Sequence, residues 1–153
     1  MLPRRSATEA FEKVPTLVFP NSATAAAELA GEVRQIIETK NKAGQPAVLG
    51  MATGSTPVPF YRELIRLHKQ EGLSFKNVIT FNLDEYYGLK GDHPESYGCF
   101  MADQLFNHID IPEENIHIPK GTIASDQVFA HCREYEEAID AVGGIDLQIL
   151  GIG

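Results

Sequence analysis

The stretch Ala47-Val48-Leu49-Gly50-Met51, continued by Ala52-Thr53-Gly54-Ser55-Thr56-Pro57, decides the fold. Five apolar residues without a polar interruption match a strand buried on both faces of a parallel sheet. The small residues after them make a turn. Pro57 suits the first position of a helix, where its missing N–H would be unpaired in any case. Phe60, Leu64 and Leu67 then recur at helical spacing, and Gly72 marks the stop. A strand, a tight turn and a helix form the unit from which parallel sheets are assembled.

The same alternation extends in both directions. Upstream, Val14-Pro15-Thr16-Leu17-Val18-Phe19 reads as a short strand. Asn21 or Ser22 caps a long helix with Leu29, Ala30, Val33, Ile36 and Ile37 on one stripe, and Gly44 ends it. Residues 1–13 are polar without a clean period and read as a flexible extension that packs loosely or not at all. Downstream, Val78-Ile79-Thr80-Phe81-Asn82-Leu83 is a strand running into Asp84-Glu85. A polar loop from Gly88 to Glu95 follows, and Ser96 caps a helix carrying Met101, Leu105 and Ile109. Ser125 opens a last helix with Val128, Cys132, Tyr135 and Ile139 on its stripe; Gly143-Gly144 stops it before the strand Leu147-Gln148-Ile149-Leu150. Residues 14–153 are therefore expected to form one α/β domain, a mostly parallel, Rossmann-like sheet with helices on both faces.

Composition bounds the function. With 43% hydrophobic and 22% charged residues the chain is an ordinary globular sequence. Its net charge of −8 and scattered acids argue against a broad surface for nucleic acid. No apolar run approaches the roughly 20 residues of a membrane helix, and the opening arginines have no apolar stretch behind them, so no membrane partner and a cytoplasmic location are expected. Cys99 and Cys132 stand far apart, which suggests neither a disulfide framework nor zinc and leaves both as small core or helix-face residues. His68, His108, His117 and His131 have no ligand spacing among themselves, and no metal is expected.

An open α/β sheet binds its ligand at the carboxyl ends of its strands. Three features fall there: the turn Thr53-Gly54-Ser55-Thr56, the pair Asp84-Glu85, and the closing Gly151-Ile152-Gly153. The turn offers backbone N–H groups, hydroxyls and a helix dipole to one phosphate, though an ordinary capped turn has the same composition. The spacing and lysine of a nucleotide-binding P-loop are absent. A carboxylate at Asp84 can move a proton on a sugar carbon beside a carbonyl, or can be a surface acid that caps a helix. Adjacent residues point in opposite directions, so only one of the two acids should face the cleft. In Asp92-His93-Pro94-Glu95-Ser96, His93 and Glu95 are better read as a rigid loop than as a site. Tyr86, Tyr87 and Tyr97 are read as closing the edge of a core.

Taken together, LGMATGSTPVPFYRELIRLHKQEGLSFKNVITFNLDEYYGL, HPESY and the closing DLQILGIG resemble the glucosamine-6-phosphate deaminase (isomerase) family over nearly the whole chain from about Val14. That family converts glucosamine 6-phosphate and water to fructose 6-phosphate and ammonia without a redox cofactor. The resemblance implies that Asp84 is the general base for proton transfer between C1 and C2, and that Thr53, Gly54, Ser55 and Thr56 bind the substrate. Glu85 matches an acid of the motif without a catalytic assignment. The family's next motif, G-x-D-G-H-I-x-F-x-E, should start where this chain reads L-G-x-G, and with it would come the Asp, His and Glu that open the sugar ring. Downstream Arg and Lys would hold the phosphate.

On this reading the 153-residue chain is the N-terminal part of a longer enzyme, inactive by itself and, with one sheet face left uncovered, prone to form a homo-oligomer. Its partner is a small sugar phosphate, and no cofactor is expected. Two alternatives stand beside it. One is a 6-phosphogluconolactonase-like enzyme, against which the D-E-Y and H-P-E-S-Y residues speak. The other is a phosphosugar-sensing module without turnover.

Overall fold

The structure is a computed structural model and describes residues 14–151. The expected extension, residues 1–13, and the terminal Ile152 and Gly153 lie outside the described residues.

Four parallel strands form one sheet: β1 (Ala47–Met51), β2 (Val78–Asn82), β3 (Ile116–His117) and β4 (Leu147–Gln148). Their spatial order is β3-β2-β1-β4. The chain thus steps outward from β1 to β3 and then returns to the other side of β1. Register pairs Met51 with Asn82 on one side of β1 and Gly50 with Gln148 on the other, so the ends of the three strands are level. The reversal of strand order between β1 and β4 is the position at which such sheets open a crevice.

Alternation along the strands divides the core. Ala47, Leu49, Met51 and Val78 belong to one cluster with Val33 and Ile37 of α1 (Ser22–Lys42), Phe60, Tyr61 and Leu64 of α2 (Val58–Glu71), and Met101 of α3 (Tyr97–Gln104). The opposite face carries Phe81, whose ring stacks on His117 at 4.4 Å and meets Tyr135 of α4 (Val128–Ala141) edge-on at 5.6 Å. Burial lowers the His117 pKa. The Tyr135 hydroxyl donates toward the carbonyls of Asn82 and His117, each at 2.9 Å, and so pins α4 across the ends of β2 and β3. Helices therefore cover both faces, but unequally: α4 has no fully buried residue.

The caps follow the sequence closely. Asn21 caps α1, its side chain accepting from the Thr24 N–H at 2.9 Å, and Gly72 ends α2 in the left-handed conformation. Ser96 caps α3. Three expectations need correction. Residues 14–19 form no strand, and Val14 and Val18 are exposed, because no described strand offers them a ladder partner. Helix α2 starts at Val58, one residue after Pro57. Helix α4 starts at Val128, capped at Gln127, with Ser125 in the preceding turn. Strand β3 was not expected at all: two residues are too short to carry a periodic signal. Of the two readings of the cysteines the helix-face one holds, Cys99 being half-buried on α3 and Cys132 exposed on α4.

Candidate active site at the carboxyl edge of the sheet

The Thr53–Thr56 turn leaves the end of β1 and delivers the chain to the N-terminus of α2. Its base is fixed by Tyr61, one turn into that helix. The buried Tyr61 hydroxyl donates to the Ala52 carbonyl and accepts the Ala52 N–H at 3.2 Å. Burial raises the Tyr61 pKa despite the hydrogen bond to Ala52. Gly54 takes a φ of 96°, which a side chain would resist, and lets the turn close. Pro57 and Pro59 carry no N–H and the Val58 N–H donates to the Ser55 carbonyl at 3.4 Å, so what this turn presents at the edge is the exposed Gly54, Ser55 and Thr56.

Asp84 follows β2 by two residues and is exposed. Its neighbour Glu85 has a different task. The Glu85 carboxylate accepts from the Tyr86 N–H at 2.8 Å, the Ser96 hydroxyl at 2.5 Å, the Tyr97 N–H at 2.9 Å and the Gly98 N–H at 3.0 Å. It is a negative charge seated on the N-terminus of α3, where the helix dipole favours one. Partial burial works to raise the Glu85 pKa, but the bonds from Ser96, Tyr97, Gly98 and Tyr86 outweigh it and hold the carboxyl below its usual range. The loop beyond is fixed from a second side, with the Gly88 N–H donating to the Gly121 carbonyl at 2.7 Å. His93 shapes its own loop, its ring nitrogen accepting the Glu95 N–H at 3.1 Å.

Tyr97 stands on the Asp84–Glu85 side of this edge. Its ring lies 4.6 Å from that of Tyr86. Hydrogen bonding with the Tyr86 hydroxyl, then desolvation and the charge of Asp84, raise the Tyr97 pKa, while the Thr53 hydroxyl acts the other way. Tyr86 and Tyr97 are thus neighbours at the strand end that bears Asp84. The Thr53–Thr56 turn and Asp84 do not line one enclosed cavity. Thr56 and Pro57 share a cleft of about 240 Å³ with Ile149, Leu150 and Gly151. Asp84 lines a groove of about 360 Å³ on the α4 side, with Tyr87, Lys120, His131 and Tyr135. Tyr97 is half-buried, and its place beside Glu85 is brought about only by the fold. Among the described residues no group of three or more His, Cys, Asp or Glu could hold a metal ion.

A parallel sheet of this order, with a hydroxyl-rich strand-to-helix turn beside a strand-end acid, defines an open α/β domain whose binding edge lies at the carboxyl ends of its strands. Residues 20–153 match the family model described as glucosamine-6-phosphate isomerases/6-phosphogluconolactonase. The chain belongs to this family, which is one of enzymes. It is 53% identical over 126 residues to glucosamine-6-phosphate deaminase of Thermoanaerobacter sp. (strain X514), covering 82% of this chain and 49% of that protein. It is 45% identical over 149 residues to a glucosamine-6-phosphate deaminase-like protein of Bacteroides thetaiotaomicron, covering 97% of this chain and 22% of that one. Among solved structures, a monomeric glucosamine-6-phosphate deaminase superposes with a TM-score of 0.80 at 44% identity, over 87% of this chain and 53% of that one. A 6-phosphogluconolactonase from Thermotoga maritima shares the fold at 24% identity and a TM-score of 0.67. The chain spans about half the length of the deaminase it matches at 53% identity.

Proposed function

We propose that this chain supplies the proton-transfer base and one side of the phosphosugar site of an enzyme that converts glucosamine 6-phosphate and water to fructose 6-phosphate and ammonia. The observation that carries this reading is that the Thr53–Thr56 turn and Asp84 follow directly on the paired ends of β1 and β2, where Met51 stands opposite Asn82. The exposed Gly54, Ser55 and Thr56 ahead of α2 support the Thr53–Thr56 turn as the phosphate seat, since the N-terminus of α3 is already taken by Glu85. Relatives at about 50% identity carry the deaminase name, while the lactonase likeness is one of fold.

In this reaction the sugar ring opens first, by transfer of the C1 hydroxyl proton to the ring oxygen. A base then removes the C2 proton while the C1 carbonyl oxygen takes up a proton, giving an enolamine between C1 and C2. Returning the C2 proton to C1, as the amino nitrogen gives one up, leaves a hydroxymethyl group at C1 and an imine at C2. Water adds to the imine carbon and ammonia leaves, giving the ketose. Asp84 is assigned the transfer from C2 to C1. Seating the phosphate on the turn holds C2 near the base, and such positioning accounts for much of the rate enhancement in reactions of this kind. Ring opening needs the Asp, His and Glu of the downstream family motif, so the 153-residue chain alone is expected to turn over no substrate.

The test is ammonia release from glucosamine 6-phosphate by the full-length protein and by the 153-residue chain. Release by the former only supports the reading. Absence of release by a folded full-length protein that binds the sugar phosphate would favour the sensing module.

A cytoplasmic location belongs to the same proposal, and no helix among the described residues is long and apolar enough to cross a membrane. So does self-association of the isolated chain, supported by exposed Leu83, Tyr87, Phe129 and Leu150. A monodisperse monomer by light scattering that binds no apolar dye would contradict it.

A further inference from the structure

Three buried side-chain atoms of the described residues have no hydrogen-bonding protein partner: Thr80 Oγ1, Asn82 Oδ1 and Asn82 Nδ2. Both residues are 2% exposed. They stand two apart on β2 and so project from the same face of the sheet. Leu49 and Met51 are their register partners on β1, and Ile116 is the partner of Thr80 on β3. These three strand neighbours are apolar and their side chains offer nothing to bond. Leaving such groups orphaned costs about 1–3 kcal/mol each, so native structures satisfy them.

We propose that Thr80 and Asn82 hold an internal water molecule beneath the strand end that carries Asp84. Residues two apart on a strand are about 6.6 Å from Cα to Cα. A water bonded to both side chains at about 2.8 Å spans that gap. The orphaned atoms also make the right set. A hydroxyl that donates or accepts, an amide oxygen that accepts and an amide N–H that donates give one water about three partners, the usual number for a buried one. The site ties the core face of β2 to its last residue, whose backbone carbonyl already receives Tyr135. It depends on no reading of the activity.

The experiment is a double-mutant cycle in urea unfolding with Thr80→Val and Asn82→Leu, together with a high-resolution crystal structure of the wild-type chain. A shared water predicts that each single variant lowers the unfolding midpoint, and that the double variant loses less than the sum. The crystal structure should show one solvent peak within about 3.2 Å of both side chains. Midpoints raised additively by the two substitutions would overturn the proposal, because that is the behaviour of orphaned polar groups replaced by apolar ones. Should either variant fail to fold, the crystal decides: a dry site, or direct bonding of Asn82 to a protein group, also overturns it.

Discussion

The Glu85 carboxylate accepts the Ser96 hydroxyl at 2.5 Å, and through that bond the strand end bearing Asp84 is tied to the first turn of α3. Asp84 and Glu85 thus divide the work of an acidic pair: one stays at the exposed edge and the other builds the loop. This arrangement makes Glu85 a stability residue with a defined pH signature. Its folded pKa lies below the ordinary 4.5, so between the two values the folded protein binds fewer protons than the unfolded chain. The contribution is complete above about pH 4.5 and is lost as pH falls through the folded pKa. Glu85→Gln should lower the urea midpoint at pH 7 by an amount worth about 2 kcal/mol, and the deficit should shrink toward pH 3. A deficit independent of pH would show that the charge is not what holds α3.

Gly121 is expected to be intolerant for a steric reason. A Cβ there would overlap the backbone carbonyl oxygens of Tyr86 and Leu89, neither of which can rotate away. Gly121→Ala should cost roughly 2–3 kcal/mol, the range for overpacking a closed site. Gly50→Ala should cost less although its overlap is as severe, because the obstacle is the Gln148 side chain, which can swing aside. Thermal unfolding of the two variants gives the comparison, and equal losses would contradict the assigned contacts.

Tyr61→Phe removes the hydroxyl that serves both backbone groups of Ala52. The loss should be about 1–3 kcal/mol, since it leaves a buried donor and acceptor unpaired. Faster amide exchange at Ala52 and Thr53 should accompany it. Unaltered exchange in that turn would mean that Tyr61 does not fix the base of the candidate phosphate seat.

Much of this was legible in the sequence because it rests on short-range chemistry. The apolar run 47–51, the cap at Asn21 and the stop at Gly72 each declare themselves within a few residues, and the parallel sheet follows from their alternation. The misses have long-range causes. Val14-Pro15-Thr16-Leu17-Val18-Phe19 has strand composition, but a strand needs a ladder partner, and composition does not say whether one is adjacent. Ile116-His117 pairs with β2 only because the loop before it returns to that edge. Asp84 and the Thr53–Thr56 turn could be placed at one edge from the rule for parallel sheets. That Glu85 would face α3 and that Tyr97 would stack against Tyr86 could not, since both depend on how the loop from Gly88 to Glu95 folds back.

The central claim is that Asp84 is the base for proton transfer between C2 and C1 of an amino-sugar phosphate, and Asp84→Asn in the full-length protein tests it most directly. The substitution keeps the shape of the side chain and removes its capacity to take a proton. Ammonia release from glucosamine 6-phosphate should fall by about 10²–10⁴-fold, the usual worth of general acid–base assistance, while the Kd for the sugar phosphate changes little. Turnover within a few-fold of wild type would contradict the account and leave Asp84 a surface acid beside a structural glutamate.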